Sequence, residues 1–113
     1  MNAIETLARL VMGNRRRYSR KPLVYETILM DDQRQILFRG KTTDVSRGGA
    51  RVTGLPVGPG VIPTQIVRVE FLVVPKKLSQ RTIRAAADAI VWRVEEHVDQ
   101  YIVALKFTRI LDT

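Results

Sequence analysis

Beyond Pro22 the chain alternates apolar and polar residues with period two, the spacing of strands that bury one face. LVYETILM (23–30) and QILFRGKTTDV (35–45), separated by a turn over 31–33, predict a hairpin. A third strand is expected over ARVTG (50–54), after Gly48 and Gly49. LPVGPGVIPT (55–64) carries three prolines and two glycines, too many for an element interior, and predicts a long surface loop. IVRVEFLVV (66–74) then sets Val67, Val69, Phe71 and Val73 on one face, until Pro75, Lys76 and Lys77 interrupt it. RTIRAAADAIVWRV (81–94) has the alanines of a helix. Its second half, with Ile90, Trp92 and Val94 alternating against Ala89, Val91 and Arg93, argues for a strand. EEHVDQ (95–100) reads as a turn, and YIVALKF (101–107) puts Tyr101, Val103, Leu105 and Phe107 on one face.

The segment before Pro22 is different. Residues 3–12, AIETLARLVM, place Ile4, Leu7, Ala8 and Val11 at helical spacing, and Gly13 and Asn14 are stop signals. At about ten residues such a helix is marginal on its own. NRRRYSRK (14–21) has five positive charges in eight positions, and Pro22 disfavours helix at Lys21, so the segment reads as extended and basic. The expected fold is mainly β: a helix or junction over 1–13, a basic segment over 14–22, and a six-stranded antiparallel barrel over 23–113. Closure into a barrel protects the strand edges.

Charge narrows the function. Nineteen Lys and Arg against eleven Asp and Glu give a net charge of +8 in 113 residues, and fourteen of the cations are Arg. An anionic partner is implied, and the guanidinium fork suits bidentate recognition of phosphate or guanine. The absence of cysteine excludes disulfides, thiolate metal sites and a cysteine nucleophile. One histidine, His97, in a polar run gives metal binding or His-assisted catalysis little to work with. Asp31, Asp32, Glu95, Glu96 and Asp99 read as turn chemistry and solubilising charge, not as paired catalytic carboxylates. Neither a catalytic nor a metal site is expected, no cofactor is implied, and no apolar run is long enough to span a bilayer.

Two clusters are poorly explained by core formation. Arg16 and Arg20 stand with three residues between them within the run Arg15, Arg16, Arg17 and Arg20. TTDVSRGGARV (42–52) carries Asp44, Ser46 and Gly49 in a D-x-S-x-x-G spacing that turns the Asp and Ser side chains to one face. Gly48 and Gly49 allow backbone angles that a side chain would forbid, and let a ligand approach the main chain. Each cluster has a plain reading as well: a solvated basic tail, and an ordinary turn built from common turn formers.

Taken together, R-x-x-x-R followed by D-x-S-x-x-G resembles the signature of the PilZ domain, over residues 14 to about 108, including the strands AIVWRV and YIVALKF. The resemblance implies a receptor for the bacterial second messenger cyclic di-GMP, without catalysis of its own. Arg16 and Arg20 are then the clamp, with Arg15 and Arg17 contributing. Asp44 accepts from guanine N–H donors, Ser46 adds a hydroxyl, and Gly48 and Gly49 keep the floor open. One or two ligand molecules per chain are implied, as is a protein partner or adjoining domain. So is a cytoplasmic bacterial location, or one in the cytosolic part of a membrane-associated complex, with control of exopolysaccharide synthesis or motility. Family members commonly end in a helix, whereas only TRILDT follows Phe107; either that helix is absent or the chain is a piece of a longer protein.

Two other classes stay open on sequence. One is a PilZ-like protein-interaction module without nucleotide binding. The other is a small basic barrel for single-stranded nucleic acid, which is disfavoured because most of the seven aromatics fall on core-facing positions. Trp92 is expected in the core or at the barrel rim rather than in the site, and Arg47 and Arg51 flank the second motif as further cations.

Overall fold

The computed structural model describes residues 25–73 and 83–111, and every regular element in them is a strand. β1 (Tyr25–Met30), β2 (Ile36–Val45), β3 (Gly49–Pro56), β4 (Ile66–Val73), β5 (Ile83–Glu96) and β6 (Tyr101–Leu111) pair antiparallel in the closed order β1-β2-β3-β6-β5-β4. Closure comes from the β1–β4 ladder, where Thr27 is the partner of Phe71 and Leu29 of Val69. The expected N-terminal helix, the basic segment and residues 112–113 lie outside the described residues.

Period two decides what faces inward. Tyr25 and Leu29 of β1, Val67, Val69 and Phe71 of β4, and Ala85, Ala87, Ala89 and Val91 of β5 are buried. The alanines are explained by their neighbours: Phe71 pairs with Ala85, Val69 with Ala87 and Val67 with Ala89. Small side chains on β5 leave interior room for rings, and Phe71 meets Phe107 edge to face at 6.2 Å and 78°. Burying a Val, Leu or Phe side chain is worth about 1.5–3 kcal/mol, which overrides the weak helix preference of an alanine run.

The register slips at four places, between Leu29 and Met30, Lys41 and Asp44, Asp88 and Ala89, and Val91 and Arg93, and two of them shape the outer face beside Asp44. β2 slips against β3 between Lys41 and Asp44, and β5 slips against β6 between Val91 and Arg93. The second bulge corrects the faces expected for β5. Val91 is buried, Trp92 is 65% exposed, and Val94 turns back to pack against the core, so Ile90, Trp92 and Val94 do not share one face. An inserted residue reverses the phase of the pleat. Three strands also run further than their patterns suggest. β3 reaches Pro56, β5 reaches Glu96, and β6 continues to Leu111 because Ala86 and Ala87 pair with Leu111 and Ile110.

Antiparallel connectivity sorts the connections between the two ends of the barrel. The start of β1, the β2–β3 turn, the end of β4 and the start of β5 share one end. The β1–β2 turn, the 57–65 loop and the 97–100 turn share the other. That loop turns through Gly58 and Gly60, at φ 60° and 72°. It is tied down where Val57 N–H donates to the Leu37 carbonyl at 2.9 Å and Thr64 N–H to that of Val91 at 2.7 Å.

Candidate functional site

The β2 bulge builds the first part of the site. Thr42, 1% exposed, fills it: its hydroxyl donates to the Arg51 carbonyl and accepts from the Asp44 N–H at 3.3 Å. Val45 then points into the core, leaving Asp44 half-buried and Ser46 exposed on the other side of the strand. Asp44 and Ser46 thus stand on either side of a buried residue. Thr42 has no motif of its own, and a hydroxyl two residues before Asp44 is its only local signal.

The turn that follows is held from within. Ser46 N–H donates to the Gly49 carbonyl at 2.9 Å, and Gly48 N–H donates to the Ser46 hydroxyl at 3.2 Å. Phe107 N–H, at 2.8 Å from the Gly48 carbonyl, ties the turn to β6. The backbone role expected of the glycines needs correction, because neither Gly48 nor Gly49 has a positive φ. Gly49 is required by proximity: a Cβ there would lie 2.0 Å from the Leu105 carbonyl oxygen. Space is open at Gly48, where the nearest neighbour of an added Cβ would be the Ser46 hydroxyl at 4.0 Å.

Of the expected site residues, Asp44, Ser46, Gly48 and Gly49 therefore come together on one turn, while Arg15, Arg16, Arg17 and Arg20 lie outside the described residues. The position of β1 relates the two groups. Tyr25 is the Cα partner of Thr42, two residues from Asp44. Four residues separate Arg20 from Tyr25, and the five steps between their Cα atoms span at most about 17 Å.

Outer-face neighbours of the turn were less legible. Asp44 is the partner of Arg51, Arg51 of Ala104, and Ala104 of Arg93, so four strands contribute one row. Lys106, the partner of Gly49, holds its ammonium 5.4 Å from the centre of the Trp92 ring. Trp92 is thus on the surface beside the site, not in the core. Arg93 lies 3.4 Å from a Glu95 carboxylate oxygen.

Charge is unevenly distributed. The described residues hold ten Lys and Arg against nine Asp and Glu, so most of the net charge of +8 falls in the other segments. In sequence, residues 14–21 precede β1 and Lys76, Lys77 and Arg81 fall between β4 and β5; the start of β1, the end of β4 and the start of β5 share the end of the barrel that carries the Asp44–Gly49 turn. The opposite end carries Asp31, Asp32, Glu95, Glu96 and Asp99.

Tyr25, at the start of β1 on the end that carries the Asp44–Gly49 turn, is fully buried, and among the described residues its hydroxyl has no hydrogen-bond partner. Burial pushes its pKa up to about 12. No group of three His, Asp or Glu among the described residues is arranged to hold a metal, and no helix there is long and apolar enough to cross a membrane.

No curated protein and no solved structure matches the sequence. The family model for the PilZ domain matches residues 14–113, from the basic segment to the last residue. With the closed six-stranded barrel and the D-x-S-x-x-G turn at its rim, that match places the chain in the PilZ domain family.

Proposed function

We propose that this chain is a cyclic di-GMP receptor domain that clamps its ligand between the Arg16/Arg20 segment and the Asp44–Gly49 turn. PilZ domains generally are receptors for this dinucleotide. The observation that supports the reading here is the Tyr25–Thr42 pairing, by which the chain, five positions after Arg20, enters the barrel opposite a residue two positions from Asp44. The ligand has two phosphodiester charges for arginine and guanine N–H donors for the Asp44 carboxylate. Ser46 both shapes the turn and presents its hydroxyl at the surface. Arg15 and Arg17 add positive charge to the clamp. Ligand that bridges the segment to the barrel orders the segment and repositions whatever adjoins it, so the output is a conformational switch, with no reaction catalysed.

The near balance of charge on the described residues weighs against the nucleic-acid reading. A single-strand binding barrel needs a continuous positive groove, and ten cations against nine acids do not supply one. Calorimetric titration of cyclic di-GMP into the chain at about 150 mM salt, with GMP as control, tests the proposal. Saturable heat for the dinucleotide alone supports it. Absence of heat at high protein concentration rejects it in favour of a protein-interaction module.

A further inference from the structure

In the closed strand order, β1 and β4 lie across the barrel from β6 and β3. The register sets two rows on their outer face: Arg39, Ile28, Glu70 and Ala86, and beside it Lys41, Glu26, Leu72 and Arg84. Ile28, Leu72 and Ala86 are half-buried and form an apolar floor among charged neighbours. A groove of about 250 Å³ opens over Ile28 and Leu72, edged by Glu26, Glu70, Arg39 and Arg84. Lys41 lies 3.8 Å from Glu26, whereas Arg39, Glu70 and Arg84 have no ion-pair partner among the described residues. Glu70 is half-buried beside apolar side chains, so its carboxylate has lost water without gaining a cation.

The chain carries a segment of matching pattern. Residues 3–12 set Ile4, Leu7, Ala8 and Val11 on one helical face, with Glu5 and Arg9 together on its flank. A helix of about ten residues is marginal alone and gains its stability by burying such a face. Glu5 and Arg9, four residues apart, are offset by about 6 Å along a helix. Arg84 is the partner of Leu72, so Glu70 and Arg84 are diagonal neighbours about 7–8 Å apart. The two spacings match with opposite signs. Twelve residues separate Met12 from Tyr25, a reach of up to about 44 Å, and Tyr25 adjoins Glu26 at the edge of the groove. Such a tether holds the segment at an effective concentration on the order of millimolar, which favours it over the same segment of a second copy.

We propose that this groove seats the chain's own residues 3–12 as a helix, with the Ile4, Leu7, Ala8 and Val11 face on Ile28 and Leu72, Arg9 against Glu70 and Glu5 against Arg84. The seat is independent of the receptor reading. It also gives the arginine segment two fixed ends, the docked helix before it and Tyr25 after it.

The test places a nitroxide on Ala3→Cys in the full chain, where it is the one cysteine, and reads broadening of barrel amides by NMR without nucleotide. The expected result is loss of the Ile28, Leu72 and Ala86 amide signals. They return in Arg9→Glu and in Glu70→Arg, and are lost again in the double variant, where the pair is restored with its signs exchanged. Arg9 precedes the barrel in sequence, so Arg9→Glu tests the pairing even if circular dichroism shows Glu70→Arg to be unfolded. No broadening, broadening centred elsewhere on the barrel, or broadening that survives Arg9→Glu overturns the proposal. A folded double variant that stays unbroadened overturns it too. So does equal broadening of isotope-labelled chains when spin-labelled, isotope-free chains are mixed with them, because the segment then seats on a second copy. With no nucleotide present, each of these outcomes leaves the cyclic di-GMP reading as it was.

Discussion

Tyr25 opens β1 as the Cα partner of Thr42, and so the chain enters the barrel two residues from Asp44. The basic segment needs no long connection to reach the D-x-S-x-x-G turn. Hydrogen bonds to charged groups are worth about 1.5–3 kcal/mol, roughly 10- to 150-fold in affinity. Arg20→Ala and Asp44→Ala are each expected to weaken cyclic di-GMP binding by that range. Arg34→Ala, in the turn at the opposite end of the barrel, is expected to leave the calorimetric affinity unchanged.

The two glycines of the turn separate a packing requirement from a permissive position. Gly49→Ala forces a methyl group into the Leu105 carbonyl and has to spread β3 from β6. A loss of about 1–3 kcal/mol is expected, as for other overpacked sites. Gly48→Ala places its methyl in open space and is expected to stay within about 0.5 kcal/mol of the parent. Urea unfolding of the two variants measures both.

Thr42→Val keeps the shape of the buried side chain but removes the hydroxyl that joins the Arg51 carbonyl to the Asp44 N–H across the bulge. Leaving buried polar groups without a partner costs about 1–3 kcal/mol. Lower stability is expected together with weaker ligand binding, because the bulge sets the direction of Asp44. A variant that loses stability but binds as tightly as the parent would separate the bulge from the site.

Tyr25 gives the fold a dependence on high pH. Its pKa is raised from the usual 10.0 to about 12, so the neutral phenol is favoured in the folded state. Its contribution is therefore present in full below pH 10 and is lost as the pH rises from 10 towards 12, at up to about 1.4 kcal/mol per pH unit. Tyr25→Phe is expected to abolish that decline. By removing a buried hydroxyl that has no partner among the described residues, it is also expected to stabilise the barrel by about 1 kcal/mol at neutral pH. Chemical unfolding of both proteins between pH 7 and pH 12 checks each point.

All six strands were legible because each keeps its alternation over at least five residues, and Asp44, Ser46 and Gly49 because their relationship is local. What the pattern missed depends on partners distant in sequence. The β5 bulge exists because β5 must follow β6, and no residue near Trp92 announces that the pleat reverses there. The same cause hid Trp92, expected in the core or at the rim and found 65% exposed on the surface beside the site. The extension of β6 to Leu111 was hidden in the same way, since Ile110 and Leu111 acquire their partners from Ala87 and Ala86. Arg93 joins the face of Asp44 only through β3 and β6, a juxtaposition that spacing along the chain does not carry. The requirement for Gly49 that the fold shows, the close approach of the Leu105 carbonyl on a neighbouring strand, is likewise set by a partner distant in sequence.

The central claim is that cyclic di-GMP binds between the arginine segment and the Asp44–Gly49 turn. Backbone and arginine side-chain NMR shifts, recorded while the ligand is titrated into the full chain at about 150 mM salt, test it most directly, because diffuse attraction is then screened beyond about 8 Å. The predicted result is saturable movement of the Asp44, Ser46, Gly48 and Gly49 amides together with the Arg16 and Arg20 side-chain signals, while the 31–35 and 97–100 turns stay still. Shifts confined to those distal turns, or no shifts at saturating ligand, would contradict it.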